Sequence, residues 1–240
     1  MGVHLVGGGL GRSAFAPFTA EAVARAQAQG AGRPVVVVVT VREDASTGHA
    51  RDLVAALTAD DAVPVDARIV AVGEGDHVSP AVFDGAHAIV IGGGLTPAYH
   101  DALEGCYDAI RTAVGAGTPY LGFSAGAMIA AERAILGGWR IGGVVVAPEG
   151  TAEDLDEVTV VAGIGLVDVS IDVHAAQWGT LSRLIAATEA GAVDGGLGLD
   201  ESTALIAGPD GPRIAGEGSV WRVIPGADGR VEVSSDRAGA

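Results

Sequence analysis

The chain has 240 residues and a formal net charge of −16, and 49% of its residues are apolar while only 4% are aromatic. This length suits one large domain or two small ones with a substantial core. The acidic balance argues against a nucleic-acid partner, which needs a basic footprint. The longest apolar run, Val35–Val39, is too short to cross a bilayer, and the single cysteine, Cys106, cannot form an internal disulfide. We therefore expect a cytoplasmic protein with no nucleic-acid or membrane partner.

The first half of the chain alternates between strand-like and helix-like segments. Strands are predicted at Val3–Val6, Val35–Thr40, Ala67–Val72, Ala88–Ile91 and Pro119–Phe123. Helices are predicted between them at Thr19–Gln29, with Thr19 as its N-cap, and at Ser46–Leu57, Ser79–Asp84 and Tyr99–Ala116. This alternation predicts an α/β fold with a doubly wound, mainly parallel sheet. Ligands of such sheets bind at the carboxyl ends of the strands.

Past residue 131 the pattern changes to short strands separated by Gly, Pro and Asp turns. Strand-like segments lie at Arg140–Val146, Val158–Val161, Val167–Val173, Leu197–Asp200, Ala204–Ala207, Arg213–Ala215, Val220–Val223 and Val231–Val233. An amphipathic helix is predicted at Thr180–Thr188, and the tail Ser234–Ala240 is expected to fray. No linker typical of a domain boundary precedes this half. We therefore expect an antiparallel C-terminal extension, with residues 1–240 forming one domain.

The stretch Gly122–Phe123–Ser124–Ala125–Gly126 follows a predicted strand and opens an Ala-rich segment that reads as a helix. It matches the G-x-S-x-G nucleophile elbow, in which a strained turn lifts a serine hydroxyl above the sheet edge. Small residues on either side let the strand and the helix pack closely around that turn. The alternative is a Gly-rich turn with a buried serine, in a chain that has 38 glycines. The strand before Ser124 and the helix after it favour a nucleophile.

A serine nucleophile needs a base, and the base needs an orienting acid. Among six histidines, His174 stands apart because it ends a strand-like run and precedes a helix. The others lie in a strand, loops or helices with no constellation around them: His4, His49, His77, His87 and His100. Candidate acids are Asp172, Asp200 and Glu201. The residues alone leave a histidine in a helix-entry loop and charged surface turns open as alternatives.

An oxyanion hole needs fixed N–H donors near the developing charge. The amide of Ala125 follows the nucleophile, and Gly93 or Gly94 offers a second donor because glycine lets backbone approach a substrate closely. The alternative for Gly92–Gly94 is a phosphate cradle, but no lysine and no G-x-G-x-x-G spacing accompany it. The turn Gly7–Gly9 comes nearer to that fingerprint without its full spacing. No metal-ligand spacing is present, so neither a metal nor a cofactor is expected.

Taken together, these motifs resemble a known family. The resemblance is carried by Gly92–Gly94, Gly122–Ala127, Gly163–Leu166, Asp172–His174, Arg183–Leu184 and Gly198–Leu205. Their order and spacing are similar to those of serine peptidases of the peptidase E (aspartyl dipeptidase) and cyanophycinase group, over roughly residues 85–207. The resemblance implies a flavodoxin-like fold related to class I glutamine amidotransferases, with serine in place of cysteine.

The resemblance also implies roles for single residues. The implied nucleophile, base, acid and oxyanion donors are, in that order, Ser124, His174, Glu201, and Ala125 with Gly93 or Gly94. Some members are described with an acid about 15 residues after the serine, but this chain has Trp139 and Arg140 near that position. Substrate contacts are implied at Asp172 and Arg183, with loop support as the alternative for Asp172. Trp178 lies where the chain departs from the family, and it is expected to give the substrate an apolar wall, with a core position as the alternative. Cyanophycinase-like members carry further arginines just after the histidine, and the matching segment 175–180 has none.

The sequence thus predicts a serine hydrolase that cleaves a peptide or isopeptide amide of a small substrate through an acyl-enzyme. A homodimer is the expected assembly. Two rivals stay open. One is an amide or ester hydrolase, or an acyl transferase, that acts on a small molecule. The other is a binding module that keeps an amidotransferase-like fold without turnover.

Overall fold

The computed structural model describes residues 2–58, 64–209, 211–227 and 229–238. Its strands in these ranges are β1 (Val3–Val6), β2 (Val35–Val41), β3 (Asp66–Val72), β4 (Ala88–Ile91), β5 (Tyr120–Phe123), β6 (Arg133–Gly137), β7 (Arg140–Ile141), β8 (Val144–Val145), β9 (Thr159–Ala162), β10 (Ser170–Val173), β11 (Gly196–Leu199), β12 (Thr203–Ala207), β13 (Arg213–Gly216), β14 (Ser219–Pro225) and β15 (Val231–Arg237). Its α-helices there are α1 (Arg12–Ala28), α2 (Gly48–Leu57), α3 (Thr96–Leu103), α4 (Tyr107–Gly115), α5 (Ala125–Met128) and α6 (Leu181–Glu189). Short 3₁₀ turns lie at Pro80–Phe83, Glu104–Cys106 and Glu149–Thr151.

The main sheet has the strand order β13–β12–β1–β5–β4–β2–β3. The five strands from β1 to β3 in this order pair in parallel, whereas β12 runs antiparallel to β1 and β13 runs antiparallel to β12. The β-branched run of β2 is almost wholly buried, as a strand covered on both faces should be. The predicted α/β fold with a mainly parallel sheet is confirmed, and β12 and β13 are its antiparallel extension.

Helices cover both faces of this sheet. Along β2, successive side chains point to opposite faces, so that Val38 packs with the α1 and α2 layer while Val39 packs with the α3 and α4 layer. Phe15 and Phe18 of α1 fill the first layer, and Tyr99 of α3 fills the second. The two layers leave the carboxyl ends of the parallel strands as the edge where a site can form.

A second sheet has the order β10–β11–β14–β15. Strands β10 and β11 pair in parallel, and β14 and β15 add in antiparallel fashion. Short antiparallel pairs also form between β6 and β9 and between β7 and β8. The predicted strand Arg140–Val146 is therefore a small hairpin, which turns at Gly142–Gly143. Helix α5 contacts β10, which brings the second sheet beside the turn that carries Ser124.

Several predicted element bounds are wrong. Helix α1 begins at Arg12, not at Thr19, because Pro17 is accommodated inside the helix although proline usually ends or kinks one. Thr19 is buried, and its hydroxyl donates to the carbonyl oxygen of Leu57 at 3.1 Å instead of capping a helix. The predicted long helix 99–116 is two helices, α3 and α4, joined by a 3₁₀ turn.

The C-terminal prediction also changes. Strand β15 continues to Arg237, so the expected fraying is wrong for residues 234–237. Residues 239 and 240 lie outside the described residues. Pairing with β14 along seven positions holds this last strand in place.

In the described part of the chain, no helix is long and apolar enough to span a membrane.

Candidate active site

Ser124 lies in the sharp turn between β5 and α5. Its backbone has φ 51° and ψ −111°, a conformation that costs a non-glycine residue energy and persists only when its surroundings enforce it. A Cβ added at Gly122 would lie 2.3 Å from the carbonyl oxygen of Gly126, and one added at Gly126 would lie 2.3 Å from that of Ile91. The predicted reason for small residues around the serine therefore holds. The helix after it, α5, is a single turn and not the longer Ala-rich helix that we predicted.

The structure brings Ser124, His174 and Glu201 into one hydrogen-bonded line. Ser124 Oγ lies 2.9 Å from His174 Nε2, and His174 Nδ1 lies 2.7 Å from Glu201 Oε1. Because an ionised carboxylate only accepts, Nδ1 carries the proton towards Glu201, and the lone pair of Nε2 faces the serine hydroxyl. His174 follows β10 and Glu201 follows β11, and since these strands are parallel neighbours both residues lie at the same edge.

The environment keeps His174 in its neutral form. Burial lowers the pKa of His174, and the hydrogen bond and charge of Glu201 oppose this shift. A neutral imidazole with a free Nε2 lone pair is the form that can take a proton from serine.

The N-terminal glycine turn bonds to the backbone at His174 and next to Glu201. The amide of His174 donates to the carbonyl oxygen of Gly7 at 2.9 Å, and the amide of Ser202 donates to that of Gly8 at 2.6 Å. A Cβ at Gly7 would lie 2.4 Å from the carbonyl oxygen of Asp200. This turn therefore packs against the residues that flank the line of three, a role different from the dinucleotide fingerprint that it partly resembles.

Of the other candidate acids, Asp200 bonds to the segment after His174 and to β14. Its carboxylate accepts from the amides of Ala176 and Ser219 and from the indole N–H of Trp221, at distances of 2.9–3.0 Å. Asp200 is also buried. It therefore holds the segment after His174 against the second sheet, while Glu201 is the acid that reaches the imidazole.

The predicted oxyanion donors lie beside Ser124 but are not equivalent. A Cβ at Gly93 would lie 2.7 Å from Ser124 Cβ, so this glycine allows the close approach that we expected. Its amide, however, donates to His49 Nε2 at 3.1 Å. Within the described ranges, the amides of Gly94 and Ala125 have no hydrogen-bond partner. These two amides are therefore the donors that are free to meet an oxyanion.

His49 is a site residue for which no sequence pattern gives a signal. It is the second residue of α2, and its ring lies 5.5 Å from that of Phe123, centroid to centroid. Burial, followed by the charge of Arg42, lowers the pKa of His49 to about 4. His49 is thus a neutral acceptor for Gly93, and it lines the same cleft as Ser124.

A cleft of about 610 Å³ opens above Ser124. Its walls carry charges of both signs, with Arg42 from the end of β2 and three acids from the loop before β9: Glu149, Glu153 and Asp154. Glu153 and Asp154 have positive φ values of 56° and 59°. The Glu153 carboxylate accepts from the amide of Thr96 at 2.8 Å, and burial raises its pKa. Nothing in this loop's composition distinguishes it from a surface turn, so these acids were not predicted.

The three predicted substrate contacts are placed differently from one another. Trp178 lines the cleft and is 46% exposed. Asp172 and Arg183 do not line it, because they form a buried ion pair with 2.7 and 2.9 Å contacts between guanidinium and carboxylate. Arg183 also donates to the carbonyl oxygen of Thr151 at 2.7 Å, which ties the acidic loop to β10. The structure therefore gives this pair a place under the loop, which agrees with the alternative of loop support.

A larger groove of about 910 Å³ lies between the two sheets at their other end, and none of Ser124, His174 and Glu201 lines it. Among the described residues, no group of three or more His, Cys, Asp or Glu side chains could hold a metal ion.

The model of peptidase family S51 matches residues 77–213, which is more than half of the chain. The chain belongs to this family. It is therefore a serine-type peptidase, and the predicted relation to peptidase E is confirmed.

Solved structures show the same fold. A peptidase from an acI-B1 Actinobacterium has a TM-score of 0.65 at 17% identity, and the match covers 100% of this chain and 95% of that one. A putative peptidase E from Listeria monocytogenes EGD-e has a TM-score of 0.54 at 14% identity, with 90% and 98% covered. No curated protein matches the chain.

Proposed function

We propose that this S51 peptidase cleaves a peptide or isopeptide amide through an acyl-enzyme on Ser124, with His174 as base and Glu201 as acid. The observation that carries the proposal is the unbroken line of two contacts, 2.9 Å from Ser124 Oγ to Nε2 and 2.7 Å from Nδ1 to Glu201. Both distances lie within the reach that proton transfer and imidazole orientation require.

In the proposed reaction, Ser124 Oγ attacks the carbonyl carbon of the amide while His174 Nε2 takes the hydroxyl proton. The carbonyl oxygen becomes an oxyanion, for which the free amides of Gly94 and Ala125 are the available donors. His174 then gives its proton to the leaving amine as the carbon–nitrogen bond breaks. Water then attacks the acyl carbon while His174 Nε2 takes a proton from it. The bond between that carbon and Ser124 Oγ breaks, the acid product leaves, and His174 returns the proton to Ser124 Oγ.

The cleft supports a small substrate. A volume of about 610 Å³ lies within the range of pockets that hold small molecules and short peptides. Arg42 and the acids Glu149, Glu153 and Asp154 line the cleft, so it suits a substrate that carries charged or polar groups. The name of the Listeria relative, peptidase E, agrees with a peptide as substrate.

The test is labelling with a fluorophosphonate serine probe, followed by hydrolysis of short peptides. Ser124→Ala and His174→Ala should both lose labelling and turnover. Ser46→Ala, which removes an exposed hydroxyl outside the cleft, should keep both. A well-folded wild type that neither labels nor cleaves any peptide would overturn the proposal in favour of a binding module. Labelling together with turnover of small-molecule esters or amides alone would favour the other rival.

A further inference from the structure

The imidazole of His174 is confined by two residues outside the triad. The indole of Trp178 is stacked on it, with ring centroids 3.8 Å apart and planes inclined by only 7°. Gly8 lies against the Cε1 side of the same ring. A Cβ added at Gly8 would lie between 2.1 and 2.9 Å from Cε1, Nδ1 and Nε2, closer than any side chain can approach. The backbone of Gly8 also has φ 107°, which favours glycine.

Two hydrogen bonds hold the segment that carries Trp178 close to His174 and Glu201. The amide of Trp178 donates to the carbonyl oxygen of His174 at 2.8 Å, which closes a tight turn. The side-chain oxygen of Gln177 accepts from the amide of Glu201 at 2.9 Å. These two hydrogen bonds therefore join the backbone of the segment that carries the indole to the backbone of His174 and of Glu201.

We propose that Gly8 and Trp178 are positioning residues that form a slot for the His174 ring and hold it in line between Ser124 and Glu201. The flat indole also lies where it can attract the positive charge that the imidazole gains when Ser124 loses its proton. This inference rests on the proposed role of His174 as base. It differs from the apolar substrate wall that the sequence led us to expect of Trp178, because here the indole acts on the base.

The two roles of Trp178 predict different kinetics. A residue that only contacts substrate changes KM, or changes kcat/KM differently for different substrates. A residue that positions the base changes every reaction in which Ser124 is deprotonated, including reaction with a reagent too small to fill the cleft. Methanesulfonyl fluoride is such a reagent. Its sulfur bonds to Ser124 Oγ, fluoride leaves, and His174 takes the hydroxyl proton.

The experiment compares Trp178→Leu, Trp178→Phe and the wild type, with Trp139→Leu as the matched control because Trp139 does not line the cleft. Trp178 is 46% exposed, so its replacement should leave the fold intact. For Trp178→Leu we expect kcat and the sulfonylation rate to fall by about 10–100-fold, the range that a misplaced catalytic group costs. KM should stay within about twofold. Trp178→Phe keeps an aromatic face and should recover most of the loss, and Trp139→Leu should behave as the wild type.

The outcomes separate this inference from the function on which it rests. If the wild type itself is not sulfonylated and cleaves no peptide, the proposed function fails. If the wild type reacts and Trp178→Leu is sulfonylated at the same rate with only KM raised, the positioning role is wrong and Trp178 is a substrate contact. Equal losses in the Phe and Leu variants would remove the stacking part of the inference.

Discussion

Replacing Arg183 by methionine tests whether the buried ion pair supports the fold. Arg183 and Asp172 are 2% and 0% exposed, and their two contacts are 2.7 and 2.9 Å long. The guanidinium also donates to the carbonyl oxygens of Thr151 and Gly138, at 2.7 and 3.3 Å. Methionine keeps much of the length and the apolar stem, so the change removes the charge and its hydrogen bonds without opening a large cavity.

The expected cost follows from what is left behind. After the change, the Asp172 carboxylate stays buried with the amide of Val173, 2.9 Å away, as its remaining donor. Breaking a buried pair by removing one partner costs about 3–5 kcal/mol of unfolding free energy. For a chain of this size, each kcal/mol shifts Tm by roughly 2–4 °C, so Tm should fall by roughly 6–20 °C. The control, Arg222→Met, breaks an exposed pair with Asp236 and should cost less than about 1 kcal/mol.

Thermal and urea denaturation measure both variants, and the double variant Asp172→Leu/Arg183→Met is the decisive addition. If the buried, unpaired carboxylate causes the loss, the double variant should be more stable than Arg183→Met alone. A loss of activity alone would not show that the fold is destabilised. Arg183 also bonds to Thr151, in the loop that lines the cleft, so its replacement can change activity without changing stability. An Arg183→Met protein with wild-type stability and a raised KM would refute this reasoning and restore the predicted substrate contact.

Three further predictions concern the site. Glu201→Gln keeps the shape of the acid but removes its charge, so kcat should fall about 10³–10⁴-fold in a peptide assay, and a loss below tenfold would exclude Glu201 as the acid. Burial lowers the pKa values of His174 and of His4. The acid limb of kcat/KM should therefore lie below pH 6.5. Because unfolded His4 binds a proton more readily than folded His4, stability should be full above pH 6.5 and fall as the pH drops below it, as melting curves from pH 7 to 5 would show. An acid limb above pH 6.5, or a Tm that does not fall, would contradict these shifts. Gly122→Ala places a methyl group 2.3 Å from a carbonyl oxygen and should destabilise the fold and abolish probe labelling, whereas Gly115→Ala, with no atom within 4 Å, should be neutral or stabilising in thermal melts.

The main sheet could be predicted because its strands have a recognisable apolar sequence pattern. The valine run of β2 and the apolar β4 and β5 are continuous, as strands buried on both faces are. The turn at Ser124 could also be predicted, because the G-x-S-x-G pattern lies within five consecutive residues and the Cβ that Gly122 lacks would meet Gly126 of the same pattern. Its place at a carboxyl end follows from the parallel pairing.

Features that depend on distant contacts could not be predicted. The start of α1 at Arg12 could not be predicted, because Pro17 lies inside this helix and proline usually ends or kinks one. The division of the C-terminal strands between two sheets has no local signal, because short antiparallel strands look alike whichever sheet they join. His49 lines the cleft from α2 and Glu153 lines it from the loop before β9, and neither is near Ser124 in the sequence. The cytoplasmic location, the homodimer and the single domain over residues 1–240 stay predictions.

The proposed triad joins two sheets, and this explains the glycine turn after β1. Ser124 belongs to the main sheet, whereas His174 and Glu201 follow strands of the second sheet. The 2.9 Å contact between Ser124 Oγ and His174 Nε2 crosses that boundary, so it needs a fixed position of one sheet relative to the other. The carbonyl oxygens of Gly7 and Gly8 supply it, since they accept from the amides of His174 and of the residue after Glu201. The turn follows β1, which pairs with β5 in the main sheet. The same turn therefore sets how far both His174 and Glu201 lie from Ser124. Glycine is needed there because a Cβ at Gly8 would overlap the imidazole of His174, and a Cβ at Gly7 would overlap the carbonyl oxygens of Leu199 and Asp200.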